Sequence, residues 1–391
     1  MSDVVKVPWN SEAWERAILQ RTDVGRIGCG GDWVLYTPGR LLVDSVAAQD
    51  PRVQEELKRR SATECEEPAA KIAASLGLTL FTMPDNLLAD TIATLRSLVP
   101  NAASLEHIWM PGPSSFHGDD VPEPTPDPQD IPGTKAENEP QERLAIYVLD
   151  TGVAQVPFDV ETDGDDAEIA DEDTDSNRDP AAGHGTHVAG IIARGAPDAR
   201  IVVRRVLTSP VGLVSELDTV DALRNATDGG AHLINCSFGG TTLFDAPPLA
   251  TERALAQLPP EVVVVAAAGN DGMERPRWPA ASKRVIAVGA VGRDEGGDWK
   301  QVDFSSWGWW VDCCAPGVKI PSTFLCWDGG DDEPVFEGFA TWSGTSFAAP
   351  AVTAAIASFA MANDMPPSLA AWHVVEDPKR ARVGSIGTLV V

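Results

Sequence analysis

Three segments of this 391-residue chain end on side chains able to move a proton or attack a carbonyl carbon. Ala145-Ile-Tyr-Val-Leu-Asp150-Thr-Gly reads as a buried strand ending in a carboxylate, and functional groups gather at such strand ends in open α/β sheets. Gly183-His184-Gly-Thr-His187-Val-Ala-Gly190 puts a histidine at the start of a helix whose small residues permit close packing. Thr341-Trp-Ser-Gly-Thr-Ser346-Phe-Ala-Ala-Pro350 puts a serine at another helix start, with Pro350 expected in the first turn. A serine hydroxyl is a poor nucleophile until a base takes its proton, and the base works best when a carboxylate orients it. Asp150, His184 and Ser346 can fill those three roles together, although each alone also reads as a cap, core or turn residue.

The elements that must hold these residues follow from hydrophobic patterning. Unalternating apolar runs at Leu144–Leu149, Ile201–Leu207, Leu233–Cys236, Val262–Ala268 and Val285–Val291 suit strands covered on both faces. Helical stretches fall between or after them at Gly185–Arg194, Ser215–Thr227, Leu249–Leu258 and Phe347–Asn363. This alternation predicts a doubly wound, mainly parallel α/β domain over residues 142–391. Residues 111–141 read as a linker: Pro122, Pro124, Pro126 and Pro128 alternate there, and proline excludes a central strand or a helix interior. Residues 1–110 predict a small α+β module. Its short strands are expected at Asp32–Tyr36, Arg40–Val43 and Leu105–Met110, and its helices at Arg52–Arg60 and Asp85–Leu98, with an apolar stretch at Leu76–Met83.

Composition removes several functions. A net charge of −28, from 58 acidic against 30 basic residues, argues against nucleic acid or an anionic membrane as partner. No run approaches the roughly 18–20 continuous apolar residues of a membrane span. The first residues lack a basic stretch followed by an apolar one, so the expectation is a cytoplasmic protein, or a secreted one if a signal has been trimmed. Six cysteines are too sparse for a disulfide scaffold. His184 and His187 lack the spacing and the glutamate of a zinc helix, so His187 reads as structural. Asp159–Asp179 holds eleven acids and one base, Arg178. It has no EF-hand spacing and reads as a solvated loop; calcium is possible there, but no cofactor is predicted.

The order Asp150, His184, Ser346 and the letters around each resemble the Asp, His and Ser boxes of the subtilisin-like serine proteases (subtilases, peptidase S8). The resemblance covers roughly residues 142–391 and implies a subtilisin-like fold and hydrolysis of protein or peptide substrates through an acyl-enzyme. It further implies that Asn270, ending the run Val262–Asn270, donates to the oxyanion with the Ser346 N–H. Ser237, Phe238, Gly239 and Gly240 resemble the edge strand on which the family lays an extended substrate. Ala267, Ala268 and Gly269 would form the opposite wall of the pocket for P1, the residue preceding the cleaved bond. The loop after Asn270 should approach that pocket, and an inward Arg275 or Arg277 would favour an acidic P1. Cys236 adjoins the substrate segment and reads as a small buried hydrophobe. Where many secreted members carry a calcium-binding insertion after the His helix, this chain runs directly from Ile191-Ile-Ala-Arg-Gly into Ala196-Pro-Asp.

By position and pattern, the N-terminal module resembles the family's inhibitory pro-domain. It is expected to dock on the catalytic domain and to be cleaved from it within or near residues 110–141. A peptide-binding pseudoprotease and a processing protease for a single partner are the alternatives.

Overall fold

The computed structural model describes residues 18–29, 32–111, 121–131, 143–162, 165–208, 210–329 and 334–391. The N-terminal part contains β1 (Gly25–Cys29), β2 (Asp32–Asp44), α1 (Pro51–Arg59), β3 (Thr63–Glu64), α2 (Pro68–Ser75), β4 (Leu78–Thr82), α3 (Leu88–Leu98) and β5 (Ala103–Trp109). The two short strands expected at Asp32–Tyr36 and Arg40–Val43 are one long strand, β2, whose register against β5 shifts between Tyr36 and Leu41. Helix α2 is not among the predicted elements; four of its eight residues are alanine and Ile72 is its one large apolar residue, so little apolar periodicity announces it. A two-residue strand, β6 (Glu123–Pro124), lies in the proline-rich stretch.

Next come β7 (Ala145–Asp150), α4 (His184–Gly195), β8 (Arg200–Arg205), β9 (Val214–Ser215), α5 (Glu216–Asp228), β10 (Leu233–Cys236), α6 (Leu249–Gln257) and β11 (Val263–Ala267). The chain continues through β12 (Val285–Arg293), β13 (Trp299–Gln301), β14 (Cys313–Pro316), β15 (Ile320–Trp327), β16 (Phe336–Trp342), α7 (Thr345–Ala362), α8 (Pro367–Val375) and β17 (Thr388–Leu389).

The large sheet has the order β17-β14-β12-β11-β10-β7-β8, all parallel, with β13 antiparallel on β12. All five apolar runs predicted as buried strands lie in it. Alternate residues of each strand face two separate cores: Ile146, Val148, Val263 and Val265 meet α4, α7 and α8, while Tyr147, Leu149, Val264 and Ala266 meet α5 and α6. Burial on both faces explains why the strands carry no polar alternation. Helix α7 is long and apolar enough by composition to cross a membrane, but 67% of that stretch is buried between sheet and helices.

The second sheet is antiparallel, in the order β3-β4-β2-β5-β9 with β1 on β2. Its last strand, β9, comes from the C-terminal part of the chain, so the sheet joins the two regions. Every residue of β5 is buried, with β2 paired along it from Ala103 to His107 and β9 covering Ile108 and Trp109. The proline-rich strand β6 lies at the edge of a three-stranded sheet, antiparallel to β16. An edge position tolerates Pro124, which has no N–H to give a second neighbour.

Candidate active site

Asp150 closes β7, an interior strand of the parallel sheet next to edge strand β8, and is fully buried. Its Oδ1 lies 2.7 Å from His184 Nδ1 and accepts the Thr151 N–H at 2.8 Å. His184 opens α4, and the helix can stand this close only because the next residue is glycine. A Cβ on Gly185 would lie 2.3 Å from the Gly152 carbonyl oxygen and 3.1 Å from the Asp150 Cβ. The imidazole of His184 packs against Trp342 and Phe347, with ring centroids 5.6 and 5.4 Å away, leaving it 3% exposed. Its Nε2 has no hydrogen-bond partner among the described residues.

Ser346 is the second residue of α7. Its hydroxyl donates to the Ser237 carbonyl at 3.0 Å and to the Pro111 carbonyl at 3.3 Å. Pro350 stands inside α7, beyond the first turn expected for it, and cannot give the N–H that would bond the carbonyl four residues earlier. That carbonyl belongs to Ser346, and the Ser237 hydroxyl donates to it instead at 2.8 Å. Asn235 Nδ2 donates to the Ser237 hydroxyl at 2.9 Å, and Thr353 Oγ1 donates to Asn235 Oδ1 at 3.0 Å. Sequence reasoning missed Asn235 and Thr353; a polar pair amid apolar core runs was the signal available.

Asn270 Oδ1 accepts from both the backbone N–H and the hydroxyl of Thr345, at 2.9 and 2.8 Å. These bonds orient the amide so that Nδ2 stands beside Gly344, 3.3 Å from where a Cβ there would be. Asp150, His184, Ser346 and Asn270 thus converge where the carboxyl ends of β7 and β11 meet the starts of α4 and α7.

Ser237, Phe238, Gly239 and Gly240 do not form an edge strand. They continue from β10, an interior strand of the sheet, and leave it at its carboxyl end. Freed from the sheet, their backbone groups pair elsewhere. Gly239 exchanges two hydrogen bonds with Met110, at 3.1 and 2.9 Å, and Gly240 exchanges two with Trp278, at 2.9 and 2.8 Å. The Trp109 ring lies over Gly240, 2.9 Å from where a Cβ would stand. Ala267, Ala268 and Gly269 run alongside, at the end of β11. The stretch from β5 to Pro111 therefore lies in the cleft beside Ser346. A second contact anchors it: the fully buried Glu216 carboxylate at the start of α5 faces His107 Nδ1 at 3.1 Å, and accepts the His107 and Thr251 N–H groups at 3.3 and 2.9 Å.

His187 is buried, with Nε2 3.0 Å from the Ile320 carbonyl and its ring against Phe347, and burial depresses its pKa to about 3. It is a neutral packing residue. Cys236 is buried in β10, where loss of solvent pushes its thiol well up from the ordinary range. A buried thiol of this kind is a poor nucleophile.

The acidic loop is less solvated than expected. Glu161 pairs with Arg200, Asp166 with Arg204 and Glu172 with Arg205, all three arginines on β8. Glu168 accepts from the Thr186 hydroxyl at 2.9 Å in the first turn of α4, and burial raises its pKa. Asp171, Asp173 and Asp179 each bring a carboxylate oxygen within 4.8 Å of the others. Calcium takes six to eight oxygens. These carboxylates already accept the N–H groups of Asp175, Ser176 and Glu172, bonds that serve the turn itself.

A parallel sheet wound by helices on both faces, with these motifs in this order, defines the class, and the chain belongs to the subtilase family, whose match spans residues 141–377. It is 38% identical over 225 residues to a thermophilic serine proteinase of Bacillus sp. strain AK1, covering 53% of this chain and 49% of that protein. It is 32% identical over 229 residues to subtilisin DY of Bacillus licheniformis, covering 55% of this chain and 75% of that one. The chain thus spans about half the length of the first relative. Fervidolysin from Fervidobacterium pennivorans, a keratinolytic enzyme related to subtilisin, shares the fold with a TM-score of 0.56 at 21% identity. That likeness covers 91% of this chain and 60% of that one, and so reaches into the N-terminal module.

Proposed function

We propose that the protein is a serine endopeptidase held inactive by its own N-terminal module. His184 Nε2 takes the proton of Ser346, whose oxygen attacks the carbonyl carbon of the bond to be cut. Asp150 keeps Nδ1–H directed toward itself and stabilises the imidazolium that forms. The Asn270 amide and the Ser346 N–H receive the oxyanion. His184 then protonates the departing amine, and water hydrolyses the acyl-enzyme.

The observation that carries this reading is the paired backbone of Met110 and Gly239, with the next carbonyl, of Pro111, 3.3 Å from Ser346 Oγ. A peptide segment lies extended against a nucleophile whose base stands ready. In this arrangement the Ser346 hydroxyl is committed to two carbonyls, and it must turn to His184 Nε2 before reacting. Residues 1–110 act as the inhibitory module, and self-cleavage falls within or near 110–141. Residues 112–120, which follow directly, lie outside the described residues.

Wild type and Ser346→Ala, purified side by side, test this. Wild type is expected to label with a fluorophosphonate and to convert to a shorter form with a new N-terminus after Pro111, while Ser346→Ala and His184→Ala do neither. A wild-type chain that takes no label refutes the peptidase. One that labels yet stays full length refutes self-processing alone.

A further inference from the structure

Between the Ser237–Gly240 segment and the Ala267–Gly269 segment lies the space expected for P1, and the loop after Asn270 enters it. Arg275 turns away, pairing with Asp245 and donating to the Thr242 carbonyl. Arg277 turns inward, and its side chain is 3% exposed. A Cβ on Gly269 would stand 2.7 Å from Arg277 Nε and 3.1 Å from its Cγ, so the arginine stem lies flat against that wall. Gly269 itself has φ +97°, which keeps a side chain off this surface. Its guanidinium is ion-paired with Asp271, whose side chain is 2% exposed. The neighbouring Trp278 backbone closes the opposite side through its two bonds to Gly240, and its carbonyl stands 2.7 Å from where a Gly239 Cβ would be.

We infer that the buried Arg277–Asp271 pair fills the depth of the P1 pocket and restricts cleavage to small residues, making Arg277 a specificity-determining residue. A large apolar P1 side chain would have to displace a guanidinium and leave two charges without their partner in a dry site. An inward arginine alone would recruit an acidic P1, but Asp271 already supplies the carboxylate that such a residue would bring. Gly239 and Gly240 on one side and Ala267, Ala268 and Gly269 on the other leave room for a P1 of glycine, alanine or serine size. This inference rests on the endopeptidase reading given above.

The test is a P1 scan with the processed enzyme on peptides differing only at that position, beside fluorophosphonate labelling. Wild type is expected to cut P1 Gly, Ala or Ser at least tenfold faster, in kcat/KM, than P1 Phe or Leu. Arg277→Ala is expected to raise the Phe-to-Ala ratio by about 10²-fold, a size consistent with relieving the exclusion of several methylenes. Asp271→Asn, which removes the carboxylate from beside Arg277, is expected to shift preference toward P1 Glu. Wild-type enzyme that labels but prefers Phe, Leu or Glu overturns the inference while leaving the peptidase intact. An Arg277→Ala enzyme that labels with an unchanged P1 profile also overturns it. If Arg277→Ala does not fold, the wild-type scan alone decides. A chain that neither labels nor cuts overturns the endopeptidase reading, and this inference with it.

Discussion

Ser237 and Ser346 are bonded reciprocally: each hydroxyl donates to the other residue's main-chain carbonyl, at 2.8 and 3.0 Å. One bond holds the start of α7 where Pro350 has removed the helix's own donor. The other parks the candidate nucleophile. The Ser237–Gly240 segment and the serine helix are therefore a single hydrogen-bonded unit.

Ser237→Ala should strand the buried Ser346 carbonyl, at a cost of about 1–3 kcal/mol. For a domain of this size, each kcal/mol lowers the melting temperature by roughly 2–4 °C. Pro350→Ala restores a backbone N–H to that carbonyl, so in the Ser237→Ala background it should recover part of the loss. A double-mutant cycle by calorimetry checks this; strictly additive losses would show that Ser237 does not substitute for the missing helix bond.

The Glu216 carboxylate satisfies backbone N–H groups of both His107 and Thr251 as well as the His107 ring. Glu216→Ala leaves these donors without an acceptor in the docked state and should loosen the N-terminal module. Fluorophosphonate labelling of Ser346 in freshly purified full-length protein should then proceed faster than in wild type. An unchanged labelling rate would mean that this contact does not limit opening.

Burial, reinforced by Asp173, Asp171 and Glu172, pushes the Asp179 carboxyl up to about 6 from an ordinary 3.8. A carboxyl whose folded pKa lies above its unfolded one holds its proton more tightly when folded, so its contribution is full below about pH 4 and is lost as pH rises through about 6. Asp179→Asn removes that titration. In metal-free buffer, the melting temperature of the variant should gain on wild type from pH 4 to pH 7. A difference that does not change with pH would contradict the shift.

Much of the core domain was legible because its strands are covered on both faces and the helices α4 and α7 carry small residues at their starts. The runs at Leu144–Leu149 and Val262–Ala268 could be placed from hydrophobicity alone. Other elements gave weaker signals. The hairpin β15–β16 mixes threonine, serine and aromatics, and β14 and β17 are short, so none showed a period strong enough to read. Helix α2 and the joining of two short strands into β2 depended on packing against neighbours distant in sequence. The segment Ser237–Gly240 was recognised by its letters but misplaced on an edge, because whether a strand is interior depends on its neighbours.

What the sequence determined by itself was the chemistry available: a carboxylate, an imidazole, a hydroxyl and an amide at the ends of strands and the starts of helices, and the family to which those motifs belong. Only the tertiary structure decided how they are disposed. It brought Asp150 within 2.7 Å of His184 across 34 residues of chain, laid Pro111 beside Ser346 across 235, and turned Arg277 rather than Arg275 toward Gly269. Residue types and local spacing set propensities and reactive groups, whereas contacts between distant segments follow from how sheets and helices bury their apolar faces together.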